Sequence, residues 1–172
     1  MPPRIAQEGG QRKTAILASP NDPAKALQSL VSAAEEKIMS IDYIMIGSNG
    51  LARSRAFYDA VMPHLGGTLA NDYEGFTFGY ALAGGATVWI ARPNNGEAAV
   101  ASNGSMPGFG CASNAAVDAA HAAALAHGGS NEGDPGPRPL YGANFYGGYV
   151  RDPDGNKMSF VLAGTSPEDT AE

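Results

Sequence analysis

The chain has 172 residues and a formal charge of -6, with 44% hydrophobic and 16% charged residues, which suits one soluble domain, or a domain with an arm, around a real core. Its 11 basic residues form no cluster, so a nucleic-acid partner, whose phosphates need Lys and Arg gathered on one face, is a poor fit. A single cysteine, Cys111 in GFGCA, excludes an internal disulfide framework and reads as a small buried hydrophobe rather than a nucleophile, and no apolar run approaches a membrane span.

Residues 1–20 mix Pro, Gly and charge without periodicity and are expected to form a flexible arm. They hold no apolar core of the length a secretory signal needs, which makes a cytoplasmic location the expectation. Residues 21–37 have the pattern of a helix, with Asn21 or Asp22 to cap it, Pro23 in the first turn and Leu27, Leu30, Val31 and Ala34 on one face. The texture then changes to short apolar strands between Gly-rich turns. The expected division is therefore an arm over 1–38, a domain over 39–164 and a flexible tail over 165–172. A start codon placed too far upstream would leave the same trace, because MSIDYIMIG is itself a natural beginning.

The body reads as two similar halves. In the first, the strand DYIMIG leads to a helix over 51–62, capped by Ser48 or Asn49, and then to the strands GFTFGYAL and TVWIARP. In the second, MPGFGCA leads to a helix over 115–127, capped by Ser113 or Asn114 and stopped by Gly128, and then to NFYGGYV and KMSFV. Each half is β-α-β-β with room for one more short strand. Apolar stripes on the helices, Ala52, Ala56, Ala60 and Val61 in one and Val117, Ala120, Ala124 and Leu125 in the other, suit the covering of a sheet. GGSNEGDPGPRPLYGANFYGG, too long and too rich in Gly and Pro for a simple connector, is expected to rim whatever the opposite sheet face encloses.

Near the end, Asp152-Pro153-Asp154-Gly155 has hairpin chemistry: Pro fixes φ at the first corner and Gly accepts positive φ in a bulged loop. The turn sets the register, and a side-chain period of two then places Lys157, Ser159 and Val161 on one face and Met158 and Phe160 on the helix-facing side. Ser159 points into the concave side.

IDYIMIGSNGLARSRAFYDAVMPHLG, AAVDAAHAAALAHGG and FYGGYVRDPDGNKMSFV, in that order and at module spacing, resemble the vicinal oxygen chelate superfamily, which contains glyoxalase I, bleomycin-resistance proteins and extradiol dioxygenases. The resemblance covers about residues 41–162. It implies an α+β fold of two βαβββ modules whose sheets form a half-open curved cup, with a small-molecule ligand inside and a homodimer as the usual assembly. Metal-dependent members place His, Glu or Gln at four cup-facing positions. Carried over by motif, these fall on Tyr43, on Trp89, on Met106 (or Gly108 if the strand is shifted) and on Ser159.

All four depart from the pattern, and the physical consequence is direct. A catalytic divalent ion needs about three or more converging donors, chosen from imidazole and carboxylate for charge and lone-pair direction. An indole nitrogen has no free lone pair, and a neutral phenol is a poor ligand at pH 7. His121 and His127 lie six residues apart on one helix and so point in different directions. His127 and His64 suit helix ends, and His121 suits packing. The expectation is thus a protein without metal or other cofactor, whose cup binds an aromatic or amphipathic molecule through Tyr43, Trp89, Met106 and Ser159, with Tyr141 and Phe145 at the mouth. Arg138 could meet an anionic ligand group or stay solvated, Arg92 is a similar case, and Arg151 is expected to pair with Asp152 or Asp154 or to stay exposed. Three alternatives remain open: a cup filled by its own side chains, a glyoxalase I-like lyase or isomerase with an atypical site, and an interaction module using residues 22–37 or a sheet edge.

Overall fold

Along β1 (Tyr43–Gly47), Ile44 and Ile46 turn toward the helices while Tyr43 and Met45 turn to the other face and stay exposed, the alternation of a strand with one covered side. The computed structural model describes residues 41–164. The expected arm with its helix over 21–37 and the expected tail lie outside these residues.

After β1 come α1 (Leu51–Val61), a 3₁₀ turn (Met62–Leu65), β2 (Thr68–Tyr73), β3 (Thr77–Ala81) and β4 (Thr87–Ala91). The second half repeats the series with β5 (Gly108–Gly110), α2 (Asn114–Ala126), β6 (Ser130–Pro137), β7 (Tyr146–Arg151) and β8 (Lys157–Leu162). Each half is a four-stranded sheet, ordered β1-β4-β3-β2 and β5-β8-β7-β6, and no strand bonds across from one sheet to the other. The first and last strands of each half run parallel, and every other neighbouring pair is antiparallel. The architecture is the α+β pair of βαβββ modules expected from the sequence, with two open sheets. The strand missing from each half is now placed. β2 is mostly exposed, which hid its periodicity, and β6 takes up the first part of the segment read as a rim, its Pro and Gly tolerated because it is an edge strand with two register shifts.

The helices α1 and α2 pack against each other on the covered sides of the sheets. Phe57, Tyr58 and Val61 of α1 meet Val117, Ala120 and Ala124 of α2 in one core with Phe78, Val88, Ile90, Val150, Met158 and Phe160. The stripe of α1 is therefore Ser54, Phe57, Tyr58 and Val61, and Ala52 and Ala56 face solvent. Two aromatic rings remove far more apolar area from water than alanine methyls, so they set the rotation of the helix. On α2 the same argument replaces Leu125, which is exposed, by His121, which is buried and bonds Asn131 Oδ1 through Nε2 at 3.2 Å.

The helices begin differently. Ser113 Oγ accepts the Ala116 N–H at 3.1 Å and caps α2 as expected. The N-cap of α1 is Gly50, which offers no side chain, and neither Ser48 nor Asn49 fills that role. Asp154 from the closing turn instead anchors the segment around the helix start, its carboxylate accepting the Asn49 N–H (3.1 Å), the Ser54 hydroxyl (3.0 Å) and Arg53 Nη2 (2.8 Å). Beside it the buried Asp152 accepts the Tyr58 hydroxyl at 2.8 Å and the N–H groups of Asp154 and Asn156 at 2.9 Å. Asn156 Nδ2 donates to Asp152 and, at 3.0 Å, to the carbonyl of Gly47, which fastens the end of β1. Arg151, in contrast to the expected pairing with these aspartates, bonds Glu132 at 2.7 Å and the Gly155 carbonyl at 2.8 Å, because it lies on the opposite face of β7 from the helices.

Candidate functional site

The faces turned away from the helices carry equivalent rows of side chains. In the first sheet the paired row reads Met45, Trp89, Gly79 and Asn71, and in the second it reads Gly108, Ser159, Tyr149 and Gly133. Tyr43 stands two residues before Met45 on the same face of β1, and Met106 stands two residues before Gly108, just ahead of β5.

Trp89 lies flat across Gly79, where a Cβ would come within 2.8 Å of the indole, so only glycine admits this placement. Tyr73 stacks with the indole at 6.2 Å between centroids and 27° between planes. Met45, Phe76 and Pro93 complete a hollow of about 470 Å³ with these rings, and among the described residues Arg92 is the only charged one that lines it. The second face is filled. Ser159 is 4% exposed and sits against Gly108, with Tyr149 beside it. Tyr149 in turn is flanked by the guanidinium of Arg138 at 5.5 Å and by Lys157 Nζ at 6.0 Å. Glu132 bonds both Arg151 and Lys157, and these cations hold its carboxyl below the usual range.

The residues singled out from the sequence are thus distributed. Trp89 lines the aromatic hollow, and Tyr43 stands exposed on the same face of edge strand β1. Met106 lines a separate hollow of about 520 Å³ between β1 and residues 100–107, which also takes in Asn156 and Lys157. Tyr141 is exposed and packs edge-on against Phe145 at 5.4 Å, away from these hollows. Arg138 spends its guanidinium on the carbonyls of Asp134 and Pro137 and on Tyr149. Tyr73 and Phe76 escaped the sequence reading. Their signal was the hairpin YEGF: with Tyr73 paired to Thr77, Tyr73 belongs on the face of Gly79 and Trp89, and Phe76 lines the hollow from the turn.

Chemically, the four positions hold a phenol, an indole, a thioether and a hydroxyl, a set that does not fit a catalytic divalent ion. Among the described residues no three His, Cys, Asp or Glu side chains gather where they could hold one. Cys111 is buried, and desolvation pushes its thiol up despite a backbone bond, so it is no nucleophile. The buried phenol of Tyr58 is pushed well up, first by desolvation and then by Asp152, which makes it a hydrogen-bond donor and not a base. His127 Nδ1 bonds the Ala123 carbonyl at 2.9 Å at the end of α2, and no histidine lines the hollow. The arrangement can hold a flat apolar molecule. No helix of the described residues is long and apolar enough to cross a membrane.

The model of the Glyoxalase/Bleomycin resistance protein/Dioxygenase superfamily matches residues 40–160. Among solved structures, a glyoxalase/bleomycin resistance protein from Albidiferax ferrireducens T118 is 36% identical, with a TM-score of 0.65 over 72% of this chain and 98% of that one. A glyoxalase-related enzyme from Fulvimarina pelagi (19% identity, TM-score 0.59, 73% and 89% covered) shares the fold. So does a lactoylglutathione lyase from Agrobacterium tumefaciens (20%, 0.54, 74% and 96%). No curated protein matches the chain in sequence.

Proposed function

The chain belongs to the glyoxalase/bleomycin resistance protein/dioxygenase superfamily, and from that premise we propose that it is a metal-independent binding protein for a small aromatic or amphipathic molecule, of the sequestering kind. The observation that carries this reading is the Trp89 ring laid over Gly79 and stacked by Tyr73 at the edge of an open apolar hollow. Flat apolar walls give affinity, and a few polar groups give orientation. Its volume of about 470 Å³ falls in the roughly 300–1,000 Å³ range of small-molecule sites. Tyr43 and Met45, exposed on the edge strand, extend the apolar face toward the rim and support a homodimer as the assembly that covers it. A glyoxalase-type lyase or isomerase would need a donor set that these positions do not hold.

Emission from the single tryptophan tests the reading. Adding 2-naphthamide to the full chain is expected to quench Trp89 saturably, with and without chelator. Gly79→Val, which drives a side chain into the space of the indole, is expected to abolish the response while the fold persists by circular dichroism. Near-stoichiometric zinc, nickel, manganese or iron in protein purified without chelator would overturn the metal-independent reading.

A further inference from the structure

Among the described residues the aromatic hollow has a single charged residue in its wall, and that residue is a cation. Arg92 follows β4 directly, so the strand that presents Trp89 also places Arg92 in the wall. Among the described residues its side chain makes no salt bridge and no hydrogen bond, whereas Arg53, Arg55 and Arg151 are all paired with carboxylates. The neighbouring acids do not line the hollow. Asp72 is held by Arg55 at 2.7 Å, Glu97 bonds Asn95, and Glu74 lines with Asp72 and Arg92 an adjoining space on the helix side of the hairpin without pairing to Arg92. Of the polar wall groups, Thr77 Oγ1 is already spent on the Ile90 carbonyl at 2.8 Å, leaving Asn94 beside Arg92.

A planar guanidinium next to stacked rings is complementary to a carboxylate or similar acid borne on a flat ring, since the fork takes two oxygens in one plane while the ring lies on the indole. We propose that the hollow selects planar aromatic monoanions, with the ring on Trp89 and Tyr73 and the acid group on Arg92. This rests on the binding reading above and gives it a ligand class. An aliphatic acid would lose the stack, and a neutral arene would lose the ion pair.

Calorimetric titration of the full chain with 2-naphthoate and with its uncharged counterpart 2-naphthamide separates the two readings. The expected result is that naphthoate binds about tenfold or more tightly than the amide, a preference that shrinks with added salt. In Arg92→Gln the preference is expected to vanish while the amide binds as before, and Arg92→Lys is expected to restore it in part. Equal affinity of acid and amide, or a preference that survives in Arg92→Gln, overturns the anion inference and leaves the aromatic site standing. Failure of both compounds to bind overturns both.

Discussion

The two sheets share one topology and one register, yet at equivalent positions they exchange bulk for emptiness. Where the first has Trp89 on its last strand and Gly79 beside it, the second has Ser159 and Tyr149. The large side chain has moved one strand outward, and the consequences differ: the first face keeps an open aromatic wall, while the second closes over a buried serine under a layer of paired charges. A repeated scaffold therefore does not oblige both halves to keep a site. The helix starts differ in the same spirit, one capped by its own neighbour Ser113 and the other uncapped but anchored through Ser54 to Asp154, 100 residues away.

Forcing the second face to imitate the first should have the largest effect. Ser159→Trp places an indole where the serine is 4% exposed and where even a Cβ added at Gly108 would come within 3.2 Å of the serine oxygen, so overpacking is expected to cost about 3 kcal/mol in urea denaturation. A milder cost would show that the second face can reopen.

The remote anchor comes next. Burial alone would raise the Asp154 carboxyl, but bonds from Asn49, Ser54 and Ser48 and the charge of Arg53 outweigh it, and the net shift is downward from 3.8. With a folded value below the unfolded one, the stabilisation is complete above about pH 4 and disappears as pH falls through the folded value. Asp154→Asn is expected to lose about 2 kcal/mol at pH 7 and to flatten the acid limb of the stability profile, a difference from wild type that should close at low pH. The local cap should matter least: Ser113→Ala is expected to cost about 1 kcal/mol equally at pH 4 and pH 7, because a hydroxyl does not titrate there.

How much of this was legible in the sequence follows the range of the interactions. The closing turn, the Ser113 cap and the alternation around Ser159 depend on neighbours a few residues apart, and they could be read directly. The rotation of α1 could not, because it was decided by Phe57 and Tyr58 meeting a core from both halves. Nor could the roles of Asp152 and Asp154, which look like turn residues and are also buried acceptors for groups far away in the chain. For the site, the period of two turned Ser159 away from the helices, and the family motif supplied Tyr43, Trp89 and Met106. Neither could say that two open sheets would leave Met106 and Trp89 in separate hollows and Ser159 sealed. Tyr73 and Phe76 went unnoticed because β2 is too exposed to show a pattern.

The fastening of Gly47 and Asn49 by Asn156 and Asp154 spans separations of 109 and 105 positions. During synthesis the amino-terminal module therefore leaves the ribosome before Asp154 and Asn156 are made, so Gly47 and Asn49 lack these two partners until the closing hairpin emerges. Maturation of the aromatic half is timed by the arrival of the other half's final hairpin, and a message truncated before that turn would yield a nascent chain without its latch.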